Sequence, residues 1–193
     1  MKMAVAVLAV IVIAVLVYFI VFAGIVPKYT LKQTEEISED ILDGYRDDRS
    51  NVNAHKQVAS SLIENFSLEF STLSYADEEY FLTGIYSLEA KRNDIKAFVR
   101  YEFDSYDGES RAWELETDSD FLKELDGIVK TYDLASFNGK SVFVSGLDAM
   151  YGDRIDILYQ SGETIYASDN QDGFVPYEAL REIHELFYSQ KKL

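Results

Sequence analysis

Residues 168–173, Ser-Asp-Asn-Gln-Asp-Gly, crowd oxygen-bearing side chains against a glycine, between an aliphatic run and Pro176. Such a cluster can hold a hard cation or turn the chain from a strand into a helix. A calcium loop of the EF-hand kind needs oxygen ligands at positions one, three and five, glycine at six and a bidentate glutamate at twelve. With Gly173 at six, those positions fall on Ser168, Asn170, Asp172 and Ala179, so the closing carboxylate is missing. Asp169, Asn170 and Asp172 therefore stand only as weak calcium candidates. The turn reading needs no ion. Asp169 and Asn170 bond nearby backbone, Gly173 takes a positive φ, and Pro176 presets the first helical turn. That join is the expectation. Asp104–Gly108 fails as a calcium loop in the same way, with Phe103 at position one although Glu114 falls at twelve.

Other chemistry is poorly supplied. Asn138-Gly139-Lys140-Ser141 ends like a phosphate loop, but Leu134 stands where the opening glycine belongs, so nucleotide binding is rejected. His184 has no second histidine four residues away, and His55 is far from it in the chain, so neither a zinc-protease helix nor a nucleophile–histidine pair is indicated. There is no cysteine, which removes thiol catalysis, cysteine-ligated metals and lipidation at cysteine. No Gly-x-Ser-x-Gly elbow occurs. Carboxylates are numerous enough for a hydrolase pair, but the sequence selects none. Trp113 is expected to pack beneath the helix that follows it. No catalytic residue, cofactor or metal site is assigned.

The net charge is −16, or −17 with Lys2 set aside, and no basic stripe interrupts it. Such a surface repels phosphate backbones, so no nucleic-acid partner is expected.

The elements that must position these residues divide into three parts. Residues 4–26 carry no charge and, as a helix rising about 1.5 Å per residue, span roughly 35 Å, enough for a bilayer core. Residues 1–28 are read as a transmembrane signal-anchor, with the lipid bilayer as partner through 4–26 and the C-terminal domain outside the cytoplasm. Val21-Phe22-Ala23 also fits a cleavage site, which leaves removal of the segment open. Residues 29–75 read as a helical stalk or hairpin. Ile37, Ile41, Leu42 and Tyr45 recur at helical spacing, followed by Val52, His55, Ala59, Leu62, Ile63 and Phe66.

From residue 76 to 193 the pattern is that of an α+β domain. Residues 80–88 fit a strand or a helix. Val99, Tyr101 and Phe103 alternate with charged residues, Asp107-Gly108 marks a hairpin, and Trp113 and Leu115 return. Phe121, Leu122, Leu125, Ile128, Val129 and Tyr132 form a helical stripe. The plan then recurs. Ile155, Ile157 and Tyr159 alternate, Gly162 turns the chain, and Leu180, Ile183 and Phe187 make a second stripe. Two β-β-α units, sharing an antiparallel sheet with both helices on one face, would bury both stripes.

The run from about 97 to 187 resembles a domain recurrent in uncharacterised membrane-anchored or lipidated proteins of Gram-positive bacteria. The marks that carry the likeness are Phe137-Asn138-Gly139, Gly162, Asn170, Pro176 and the helix through Phe187. The acidic 168–172 loop and the missing lipidation cysteine depart from the pattern, and the resemblance implies no activity. The expectation for function is a membrane-tethered, non-catalytic interaction domain with a protein or cell-envelope partner. The rival is an envelope hydrolase using two carboxylates from different strands.

Overall fold

In the computed structural model, residues 44–76, 79–146 and 152–191 are described. The expected anchor and residues 29–43 of the expected stalk lie outside them. No helix among the described residues is long and apolar enough to cross a membrane. The unit described here begins at Arg46.

Among the described residues, eight strands form one sheet: β1 (Tyr45–Asp48), β2 (Ile63–Ser71), β3 (Gly84–Asn93), β4 (Lys96–Ser105), β5 (Ser110–Asp118), β6 (Ser141–Ser145), β7 (Asp153–Tyr159) and β8 (Thr164–Asp169). Two helices accompany them, α1 (Asp120–Thr131) and α2 (Tyr177–Gln190). The order across the sheet is β1-β6-β8-β7-β2-β3-β4-β5. The fold is α+β.

Period-two alternation decides which face each strand buries. Paired across β2, β3 and β4, the residues Phe66, Ala90 and Val99 form one row, and Leu68, Leu88 and Tyr101 form the next. Ile157 and Ile155 of β7 extend these rows, followed by Ile165 and Ala167 of β8. All are buried in one core. Phe121, Leu122, Leu125 and Val129 of α1 join the same core, as do Ala179, Leu180, Ile183 and Phe187 of α2, so both helices cover one face. Phe187 ties them together, its ring 5.0 Å from that of Phe121 and 6.1 Å from that of Phe66. The other face carries Glu69, Glu89, Arg100, Glu114, Arg154 and Asp156, all exposed, as an antiparallel sheet covered on one side allows.

Three expectations are corrected. First, residues 45–71 hold no α-helix: β1 and β2 are strands, and β2 lies inside the sheet between β7 and β3. The apparent helical spacing of Ile63 and Phe66 comes from a bulge. The register with β7 shifts between Ile63 and Asn65, so two residues three apart both face the core. Second, the domain therefore starts well before residue 76. Third, the sheet is mixed. β6 passes over its sequence neighbour β7 and pairs with β8 in parallel, Ser141 opposite Ser168 and Val142 opposite Asp169.

The β4–β5 and β7–β8 hairpins close alike. Ser105 N–H bonds Glu109 O and Tyr159 N–H bonds Glu163 O, with Gly108 and Gly162 at φ +92° and +84°. Each glycine supplies the left-handed residue that a short bulged hairpin loop requires. For residues 80–88 the strand alternative holds from Gly84 onward.

Leu68 is fully buried at the middle of β2. Leu68→Ala is expected to cost about 2–5 kcal/mol in urea unfolding followed by Trp113 fluorescence. A peripheral stalk residue would cost well under about 1 kcal/mol.

Candidate functional site

The loop opened at Ser168 sends its oxygens three separate ways. Asp169 is buried, and its Oδ2 accepts from Lys140 Nζ at 2.5 Å while Oδ1 accepts from the N–H groups of Gln171 and Asp172. Burial raises the Asp169 pKa, but Lys140 and the two N–H groups together outweigh it and hold the carboxyl below its usual range. Asn170 bonds both backbone groups of Val144, accepting from N at 2.7 Å and donating to O at 2.9 Å, and so acts as an extra strand partner for β6. Asp172 faces Arg46 at 4.0 Å on the exposed surface. Gly173 does not have positive φ. Its position requires glycine for another reason: a Cβ there would lie 2.7 Å from Ser74 Cβ and 2.8 Å from the Tyr75 hydroxyl. Pro176 stands one residue before α2.

Directly across from Asp169, on β7, sits Asp153. It is 2% exposed, and its Oδ2 accepts from the Tyr75 hydroxyl at 2.5 Å, Phe174 N–H at 2.7 Å and Val175 N–H at 2.9 Å. Oδ1 is buried without a partner among the described residues. Burial raises the Asp153 pKa to about 6, only partly opposed by these donors, and the nearby Asp169 charge adds to the rise. Tyr75 is likewise pushed up, by burial first and then by the Asp153 charge. The two carboxylates come from adjacent strands, as a hydrolase pair would. Yet both side chains are sealed, and Asp153 pins the 172–175 loop to the 3₁₀ turn at Thr72–Tyr75.

His184 lies on α2 between two tyrosines, Nδ1 3.0 Å from the Tyr80 hydroxyl and Nε2 3.2 Å from the Tyr101 hydroxyl. The rings of Phe81, Tyr86 and Tyr188 complete its surroundings. Burial lowers its pKa to about 4, so the ring is neutral at pH 7. Trp113 stacks on Tyr101 with centroids 5.2 Å apart, and Tyr101 meets His184 and Tyr188. The tryptophan thus packs against the shared core through Tyr101, whose ring meets the aromatic group of α2.

An open recess forms elsewhere. Asn138, in the Phe137-Asn138-Gly139 turn, is a buried hub. Its Nδ2 donates to His55 O and Thr164 O at 2.9 and 3.0 Å, and its Oδ1 accepts from Tyr166 N–H at 2.8 Å. The carbonyl of Asn138 accepts from Lys56 Nζ. These bonds hold residues 49–62, a strap without regular structure, against β8. Glu163 clasps its far end, accepting from Ala59 N–H at 2.9 Å and Ser60 N–H at 3.0 Å. Gly139, at φ +84°, packs so closely on the strap that a Cβ would lie 2.5 Å from Asn51 O. Between the strap, the Asn138 turn and the β7–β8 hairpin lies a cleft of about 820 Å³, with Arg49, His55, Gln57, Glu163, Thr164 and Tyr166 in its wall.

No protein-family model matches the chain, and no curated protein is detectably similar to it. The site is therefore read from its own chemistry. The structure brings His55 to the cleft and His184 to the aromatic core, so the two histidines do not meet. Sequence reading missed the cleft, since its walls come from three distant segments. It also passed over Asp153, although a carboxylate at an inward-facing strand position, in register with Ile155 and Ile157, was a visible signal.

Two predictions follow from these hubs. Asn138→Ala strands three backbone partners and is expected to cost about 2–4 kcal/mol in urea unfolding. For pH, the signs oppose. Asp153 holds its proton more tightly when folded (about 6 against 3.8), so it removes about 3 kcal/mol of stability as pH rises through that window. His184 resists its proton when folded (about 4 against 6.5), so its contribution of similar size is lost as pH falls through the same range. The two nearly cancel. Asp153→Asn is expected to make stability climb from about pH 4 to 6.5, and His184→Gln to make it decline, each by about 3 kcal/mol relative to wild type.

Proposed function

We propose that the chain is a membrane-tethered binding module, anchored through residues 4–26, whose domain acts outside the cytoplasm on a cell-envelope or protein partner. The observation that carries this reading is the cleft beneath the strap. It is roomy, about 820 Å³, within the range of about 300–1,000 Å³ usual for ligand sites. Its one lining carboxylate, Glu163, is already committed to two strap N–H groups and to Ser161 Oγ at 2.7 Å. An accessible surface whose acid is spent on structure suits recognition better than proton transfer. The uninterrupted apolar run at the N-terminus supports the tether. The resemblance to domains of anchored Gram-positive proteins agrees with it.

The hydrolase reading has one observation in its favour, the Asp153–Asp169 pair with one raised pKa. We place it second because Asp153 and Asp169 are 2% and 1% exposed and neither lines the cleft.

Protease added to intact cells expressing the full chain is expected to remove the C-terminal domain, and the membrane-bound protein is expected to retain solubilised envelope material. A domain protected until the membrane is permeabilised, or a full chain that retains no envelope component, would overturn the proposal.

A further inference from the structure

From the cleft's chemistry we infer that its ligand is an uncharged, hydroxyl-rich polymer, a short stretch of envelope glycan; this rests on the binding reading above. The two charged side chains that line the cleft, Arg49 and Glu163, are already answered, as is Lys56 on the strap. Arg49 pairs with Asp47 at 2.6 Å, Lys56 bonds the Asn138 carbonyl, and Glu163 holds the strap. An ionic ligand would find little unpaired charge to meet. A polyanion would also be repelled by a chain of net charge −16.

What remains uncommitted is neutral and polar. The Gln57 amide, the Thr164 hydroxyl and the Tyr166 hydroxyl line the cleft and make no side-chain hydrogen bond among the described residues. Amides and hydroxyls both donate and accept, which is what a sugar hydroxyl requires of its partners. Thr164 and Tyr166 lie two apart on β8 and so share one face, about 7 Å apart along the strand. The Arg154 guanidinium sits 5.7 Å from the Tyr166 ring centre, a cation–π contact at the ring's face.

An extended peptide fits less well, because it would need free backbone. The N–H groups of Asn51, Ala59 and Ser60 are taken by Gly139 and Glu163, and at Thr164 and Tyr166 the backbone of β8 is met by β7 on one side and by Asn138 and Gly139 on the other. The cleft offers side chains, not a strand edge. Its floor is fixed in advance by Asn138, so a ligand need not order the strap to bind.

The test is calorimetric titration of the full chain in lipid nanodiscs with three probes: an N-acetylglucosamine tetramer, a glucose tetramer and an uncharged tetrapeptide. At least one glycan is expected to bind, with affinity insensitive to added salt. Tyr166→Ala and Gln57→Ala are each expected to weaken it about tenfold, the loss of about one hydrogen bond or ring contact. Both side chains are exposed, so unchanged melting of the variants confirms that folding is intact. Binding of neither glycan, equal binding by the variants, or binding of the peptide alone would overturn the inference. If both glycans fail while the full chain still retains envelope material, the glycan assignment falls and the binding module stands. If retention fails as well, both fall.

Discussion

The pairing of β2 on both sides is the constraint on which the remaining structure depends. One edge of β2 meets β3 and so carries the meander through β4 and β5. The other meets β7 and so carries β8, β6 and β1. Phe66, Leu68 and Phe70 supply the core row where the two halves join. Neither hairpin-plus-helix unit can bury its helix alone, because a two-stranded ribbon offers too narrow a floor. With β2 and β3 between them, α1 and α2 lie side by side on one floor, and Phe187 can touch both Phe121 and Phe66.

At the ends of the strands the apolar rows give out, and buried polar side chains take over the work of holding chain to chain. Asp153 gathers a hydroxyl and two N–H groups, Asn138 satisfies three backbone groups, and Asn170 completes both bonds of Val144. Each replaces a ladder bond that irregular backbone cannot make for itself. The chemistry is the same in all three, yet one of them is ionisable. Burial of Asp153 without a cation gives it a raised pKa, whereas Asp169, one strand away, keeps its charge because Lys140 is in contact. Perturbed titration at Asp153 is thus a consequence of loop fastening, and is not by itself evidence of catalysis.

How much of this was legible follows from which signals are local. Gly108 and Gly162 announce their hairpins because φ > 0 at one residue is a local demand. The stripes of α1 and α2 announce their helices because one face must be apolar. β2 was misread because a single bulge converts period two into a passable helical spacing between Ile63 and Phe66. The parallel β6–β8 pair left no local mark, since Val142 and Val144 would alternate in either direction. Asp153 and Asp169 were legible in principle, each sitting where Ile155 and Ile165 set an inward parity. The cleft was not, because Gln57, Asn138 and Tyr166 are joined only by topology.

That topology also explains why a recess exists at this place. β1 lies at one edge of the sheet and β2 in its interior, four strand intervals apart in the order β1-β6-β8-β7-β2. At about 4.8 Å per interval, residues 49–62 must travel roughly 19 Å across the ends of β6, β8 and β7. They do so without pairing as a strand, since the strands beneath already use their edges on one another. A segment crossing strand ends in this way can be held only at points, and Asn138 and Glu163 are two of them. Between such points the strap stands off the sheet and leaves side chains of β8 uncovered. Long structureless connections inside a small domain are uncommon and tend to carry function. Here the connection and the recess share one cause, the insertion of three strands between β1 and β2.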